Sequence, residues 1–242
     1  MERDGPINIV IPMAGAGSRF AVAGYDALKP FIRFKGRMMI EHVLGSFAKL
    51  DARVVLVVQE GFLASQRDSL EELKRSYSFT TVTVPGLTMG AAVTALAAHK
   101  AVDAAYDIIF ADCDNIFDGA DMLSFVEDMR GRDLDGGLLT FASSEPCFSY
   151  ARTGGDGMVL ETREKEVISS HAICGAYYFK SVELFRDAAI DLIVSNDLQK
   201  GEFYMSSVYN HLRKATARIG VFDIAGFDCV GTPGQLAEFI GG

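Results

Sequence analysis

Two runs of apolar residues set the terms for any fold of this chain. INIVI at 7–11 and RVVLVVQ at 53–59 place aliphatic side chains on successive positions rather than alternate ones. A strand with one wet face alternates apolar and polar residues, whereas a strand covered on both faces does not. TVTVP at 81–85 and DIIFAD at 107–112 follow, and the stretches between, 39–50, 63–77 and 90–102, carry helical spacing. Doubly covered strands alternating with helices predict an α/β fold: a mixed, mostly parallel sheet flanked by helices.

After GGLLTF at 136–141 the apolar pieces shorten and crowd together around turns such as TGGDG at 153–157. This texture predicts an antiparallel extension, then helices near 182–194 and 204–214, a strand at 219–224 and a short helix from about Thr232. Nothing reads as a linker or repeat, so 1–242 is expected to be one domain, with halves of about 1–135 and 136–242. At 242 residues and 49% hydrophobic, the chain has material for one sizeable core.

The net charge of -9 argues against nucleic acid as a partner. The apolar stretch at 7–13 is broken by Asn8 and Pro12, too short for a signal peptide or membrane span. The four cysteines, Cys113, Cys147, Cys174 and Cys229, have neither metal-ligand nor redox spacing. They are expected to be core or near-core thiols in a reducing compartment, and the protein cytoplasmic. His42, His99, His171 and His211 fall on helices or strands and read as structural. Oligomeric state is left open, a homo-oligomer included.

The sequence IPMAGAGSRF at 11–20 follows the first strand with small residues and ends near a cation. Ligands of open α/β sheets bind beyond the carboxyl ends of the strands. A glycine-rich loop there lets a phosphate approach backbone N–H donors, and Arg19 adds a charge-assisted bond. Lys29 follows ten residues later in LKPF, and Pro30 biases it toward an extended backbone. The same residues also describe a tight turn with ordinary surface cations. This is no P-loop, because no Gly-Lys-Ser/Thr follows, and Phe20 stands where a dinucleotide fingerprint needs its third glycine.

MAGAGSRF…LKP resembles the opening signature of the nucleoside-diphosphate-sugar pyrophosphorylases, the sugar-phosphate nucleotidylyltransferases. The fuller string IPMAGAGSRFAVAGYDALKPFI is similar to a branch associated with bacterial capsule and surface-polysaccharide clusters. The likeness continues through TMGAA, CDNIF, LDGGLLTF, EKE, GAYYF, GEFYMS and GTPGQL, nearly the whole chain in order. It implies a Rossmann-like, glycosyltransferase A-like fold that joins an NTP to a phosphorylated sugar or other small acceptor and releases pyrophosphate.

By that resemblance Met13, Ala14, Gly15, Ala16, Gly17 and Ser18 cradle the nucleotide, with Thr88, Gly90 and Ala91 at the base. Arg19 and Lys29 are the catalytic cations, on the leaving pyrophosphate and the α-phosphate. Asp114, before Asn-Ile-Phe, is the expected Mg2+ ligand, with Asp112 a second candidate; hard oxygen donors suit that ion. Lys165, Gly175 and Glu202 match acceptor-side positions. CTP is the slightly preferred triphosphate. Each position also has a plainer reading: Asp112 and Asp114 as turn caps, Thr88 as a helix cap, Lys165 in a solvated charge run, Gly175 in a bulge, Glu202 in a helix first turn.

The family's second metal-binding Asp, two residues before Gly-Thr-Pro, is Cys229 here, with Asp228 one residue earlier. One residue along a strand turns a side chain to the other face, so Asp228 reaches the metal only if the chain bulges; Asp223 is a more distant candidate. Two alternatives stand beside the transferase: a glycosyltransferase using Asp112-Cys113-Asp114 as its Asp-x-Asp motif, and a non-catalytic nucleotide-binding subunit. With no hexapeptide repeats, no fused acetyltransferase domain is expected.

Overall fold

The computed structural model describes residues 5–242. Its centre is a nine-stranded mixed sheet. In chain order the strands are β1 (Ile7–Pro12), β2 (Ala52–Gln59), β3 (Phe79–Val84), β4 (Ile108–Ala111), β5 (Gly136–Ala142), β6 (Ser149–Thr153), β7 (Val159–Glu164), β8 (His171–Phe179) and β9 (Ile219–Ile224). The helices are α1 (Ser18–Val22), α2 (Met39–Gly45), α3 (Glu60–Ser65), α4 (Arg67–Ser76), α5 (Ala91–Leu96), α6 (Gly119–Gly131), α7 (Val182–Val194), α8 (Met205–Lys214) and α9 (Pro233–Gly241).

Strands β3, β2, β1 and β4 lie side by side in parallel, and β8 joins β4 antiparallel. The unbroken apolar runs have the predicted cause. Ile7, Ile9 and Ile11 of β1 and Leu56 and Val58 of β2 point into one core, which α2, α4 and α6 cover. Val10, Val55 and Val57 point into the other, beneath α5, α7 and α8. Both faces are buried, so both parities are apolar.

Strand β8 forks the sheet. Strand β5 follows one of its edges, and β9 continues from β5 in parallel. The other edge is shared: Ala176–Phe179 pair with β4, whereas His171–Ile173 pair with β6, which in turn carries β7. Cys174 and Gly175 lie at the junction, where the β5 register also shifts. A gap therefore opens where β4 ends and β6 begins.

Several element boundaries differ from the sequence reading. The helix expected at 63–77 begins at Glu60 and breaks at Gln66 into α3 and α4. The helix expected at 39–50 stops at Gly45, and that at 90–102 becomes α5 followed by a 3-10 turn, Ala97–Lys100. Strand β3 runs 79–84 and leaves out Pro85, which cannot donate to a ladder. Helix α6 was not foreseen, although Asp118 caps it and Met122, Phe125, Val126 and Met129 form its buried stripe. Cys174 is buried and Cys113 and Cys229 are half-buried, but Cys147 is exposed. Among the described residues, no helix is long and apolar enough to cross a membrane.

Candidate nucleotide and acceptor cleft

The loop after β1 ends in α1, which Gly17 caps in the left-handed conformation. Gly15, Ala16, Ser18 and Arg19 are exposed at its rim, whereas Met13 and Ala14 remain buried at the strand end. A side chain on Gly17 would press on Lys29 Cβ, 3.1 Å away, so the loop rests directly against the lysine. Lys29 is not extended as Pro30 suggested. It opens a one-turn 3-10 helix, Lys29–Phe31, and Leu28 takes the extended conformation instead.

Asp112, Cys113 and Asp114 leave the carboxyl end of β4 at the fork. Lys29 Nζ forms an ion pair with Asp114 Oδ2. Burial works to lower the Lys29 pKa, but the Asp114 charge and hydrogen bond, with a contribution from Cys113, leave it raised. Asp112 is half-buried at the cleft wall; desolvation, reinforced by the Asp114 charge, pushes its carboxyl up to about 8. Gly175, at φ +86°, is what lets it lie there: a Cβ would sit 2.4 Å from both Asp112 Oδ2 and Asn115 Nδ2. Asn115 Nδ2 donates to the Cys174 carbonyl at 3.0 Å, and its Oδ1 is buried without a partner.

Across the gap, Glu164 ends β7. Its Oε2 accepts from Ser149 Oγ and, at 3.2 Å, from Ser206 Oγ. Lys165 Nζ lies 3.7 Å from Glu164 Oε1 and 5.4 Å from the centre of the Tyr204 ring. Lys165 is an exposed side chain at the end of β7, with positive φ, and it borders the cleft. The structural role of Glu164 was not foreseen; its serine partners come from the facing position on β6 and from α8, 42 residues on.

One cleft of about 510 Å³ is lined by Arg19, Lys29, Asp112, Asp114, Lys165, Gly175, Glu202 and Ala91 together. A smaller cavity of about 180 Å³ adjoins it and is lined by Met13, Gly15, Gly17 and Ser18. Arg19, Lys29, Cys113 and Gly231 border both. This is the carboxyl edge of the parallel strands, where open α/β sheets place ligands. A separate cavity of about 650 Å³, between Ile7, Arg130 and Lys180, opens at the opposite end of the sheet and gathers none of the expected residues.

Some expected residues do not reach these walls. Asp228 and Cys229 form a short ladder with Ile116 and Asn115. Its alternation puts Cys229 in the cleft and Asp228 in a shallow groove with Lys35 and Phe239, so no bulge brings the carboxylate round. Asp223 is held elsewhere, by Thr140 Oγ1 at 2.7 Å and His171 Nδ1 at 2.9 Å. Ala14 is spent on a structural contact, its carbonyl accepting from Gln59 Nε2 at 2.7 Å. Ala16 lines neither cavity. Thr88 and Gly90 also stay off both walls. Thr88 does not cap α5; its hydroxyl bonds Thr94 Oγ1 and the Gly90 carbonyl, and Gly90 occupies the cap position.

Residues 9–153 match the MobA-like NTP transferase domain, more than half of the chain. The chain belongs to this family. It is a nucleotidyltransferase, and the matched NTP transferase segment runs from within β1 through the glycine-rich loop, Asp112 and Asp114 to the end of β6. Among solved structures, it is similar to a nucleoside-diphosphate-sugar pyrophosphorylase from Vibrio cholerae RC9, with 26% identity and a TM-score of 0.82 over 97% of this chain and 100% of that one. It shares its fold with the inositol-1-phosphate CTP transferase from T. maritima, at 18% identity and a TM-score of 0.76 over 97% and 94% of the two chains. It also shares its fold with HddC from Yersinia pseudotuberculosis, at 17% identity and a TM-score of 0.70 over 96% of each. No curated protein matches the chain by sequence.

A divalent metal is implied by the family resemblance. Among the described residues no three His, Cys, Asp or Glu side chains are grouped to hold an ion by themselves. Mg2+ does not require that, since it commonly takes one or two carboxylates and completes its shell with phosphate and water. The donors present are hard carboxylate oxygens on Asp112 and Asp114, and the desolvated Asp112 carboxyl is a group that an adjacent cation stabilises as its anion. The residues fit Mg2+ as a partial shell.

Proposed function

We propose that this protein transfers a nucleoside monophosphate from an NTP to a small phosphorylated acceptor and releases pyrophosphate. The observation that carries the proposal is the meeting, in one cleft, of the Arg19–Lys29 pair, the Asp112–Asp114 pair and Lys165. The first half of the chain supplies the triphosphate groups. The second half brings Lys165, Gly175 and Glu202 to the facing wall.

The acceptor phosphate oxygen attacks the α-phosphorus in line. A bond forms between that oxygen and phosphorus, the α–β bridging P–O bond breaks, and its electron pair leaves with pyrophosphate. The nucleophile is a phosphate monoester with a second pKa of about 6, already ionised at neutral pH. No general base is needed, and the histidines are engaged elsewhere: His42 stacks on Phe34, for example, and His211 Nδ1 and Nε2 meet Asp191 and Asp197. Arg19, at the rim, holds the leaving group. Lys29 offsets charge at the α-phosphate, and Lys165 holds the acceptor's phosphate. Mg2+, held by Asp114 and Asp112, supplies further charge neutralisation on the phosphate oxygens when bound.

CTP is the first triphosphate to test. A sugar 1-phosphate is the first acceptor class, by analogy with the similar pyrophosphorylase. The resemblance to the capsule branch supports a role in making activated precursors of surface polysaccharides. The test is pyrophosphate release with CTP, UTP, GTP, ATP and dTTP against a panel of sugar phosphates and phosphorylated alcohols. Acceptor-dependent release is the expected result. Turnover of a nucleotide-sugar without pyrophosphate release would indicate a glycosyltransferase instead.

A further inference from the structure

Residues 199–204 form a strap between the two halves of the cleft. Gln199 and Glu202 exchange backbone hydrogen bonds of 3.0 Å around a two-residue turn at Lys200 and Gly201, both with positive φ. On one side the strap is tied to β7, where Gln199 Oε1 accepts from the Glu164 backbone at 3.3 Å. On the other side it crosses the start of α5. Phe203 N donates to the Met89 carbonyl at 2.8 Å, and Ala92 N donates to the Phe203 carbonyl at 3.1 Å.

The crossing depends on Gly90. Its φ of 122° is one that L side chains rarely adopt, and a Cβ there would lie 2.5 Å from Phe203 O and 2.7 Å from Phe203 N. The side of this glycine on which a Cβ would project is taken by the Phe203 backbone. Phe203 itself is buried, while its neighbours Glu202 and Tyr204 line the cleft.

We infer that Gly90 is a positioning residue. It admits the Phe203 backbone, thereby seats Glu202 and Tyr204 on the acceptor wall, and couples that wall to the α5 start beside Ala91. The coupling rests on the proposed two-substrate reading; the seating does not. A ligand that orders the 88–92 segment makes the strap cheaper to hold in place, so filling one subsite prepares the other.

The Lys200–Gly201 bond is exposed and reports on the strap through trypsin. In Gly90→Ala without ligand, cleavage after Lys200 is expected to rise about tenfold or more at matched folded content, the scale of a strained non-glycine backbone acting on a local opening. Cleavage at the wild-type rate would overturn the positioning role. Should Gly90→Ala not fold, amide exchange on the wild-type protein decides: the Phe203 and Ala92 amides are expected to be protected and to open together. Free-chain exchange at Phe203 would overturn the role.

The coupling is read on the wild-type protein with Mg2+ and each of the five triphosphates. The triphosphate that raises the melting temperature is expected to slow exchange over 199–204. A raised melting temperature with unchanged strap exchange overturns the coupling alone. A failure of every triphosphate to bind overturns the two-substrate reading and the coupling together, and Gly90's positioning role then stands or falls on the ligand-free measurement.

Discussion

Lys29 and Asp114 are ion-paired on the floor of the cleft, 85 residues apart in sequence and only 16% and 17% exposed. The glycine-rich loop packs on the lysine, and the carboxylate sits at the end of β4. Each group therefore holds the other in the place where the proposed reaction needs it. Removing one partner leaves a desolvated charge. Lys29→Met and Asp114→Asn are each expected to cost about 3 kcal/mol in urea unfolding, the lower end for a broken buried pair. The double variant should recover much of that loss, giving a favourable coupling in the cycle. All three variants should lose turnover by about a hundredfold or more, since recovered stability does not restore charge at the phosphate.

The same pair predicts competition. In the ligand-free protein Lys29 occupies the carboxylate proposed to hold the metal. Lys29→Met should bind Mn2+ more tightly than wild type in the absence of nucleotide, measured as loss of the free-ion signal in electron paramagnetic resonance. Equal or weaker binding would show that Lys29 does not restrain Asp114.

The two carboxylates beside Cys113 and Cys229 should behave differently from one another. Asp112 lines the cleft and Asp228 does not. Asp112→Asn is expected to lower turnover by about a hundredfold. Asp228→Ala should stay within about twofold of wild type, as an exposed substitution away from the chemistry. Steady-state rates at saturating triphosphate distinguish the two.

Gly175 has no room for a side chain between Asp112 and Asn115. Gly175→Ala is expected to lower stability by about 2–3 kcal/mol, combining a strained positive φ with overpacking. Denaturant unfolding checks this; a change below about 0.5 kcal/mol would mean that the Asp112 side chain moves aside freely.

How much of this was legible depended on whether the cause lay nearby in the chain. The doubly covered strands could be read because both parities of β1 and β2 are apolar locally. Arg19, Lys29, Asp112 and Asp114 could be placed because each follows a strand whose carboxyl end marks the ligand edge. That Cys229 takes the cleft side and Asp228 the other was expected of a regular strand; that no bulge intervenes was not legible, because it is set by pairing with Asn115 and Ile116, more than a hundred residues earlier. The packing of Gly90 against Phe203 was not legible for the same reason: Phe203 arrives from the other half of the chain. Helix α6 was readable in principle, since its cap and apolar stripe are all local.

The central claim is that this cleft takes a triphosphate on the Arg19–Lys29 side. Its most direct test is thermal unfolding with excess CTP, UTP, GTP, ATP or dTTP, each with and without Mg2+, on wild type and Arg19→Ala. A ligand that binds only the folded state raises the melting temperature by mass action. The account predicts a Mg2+-dependent rise with at least one triphosphate in wild type and its loss in Arg19→Ala. No rise with any triphosphate, alongside a rise with a nucleotide-sugar, would contradict it.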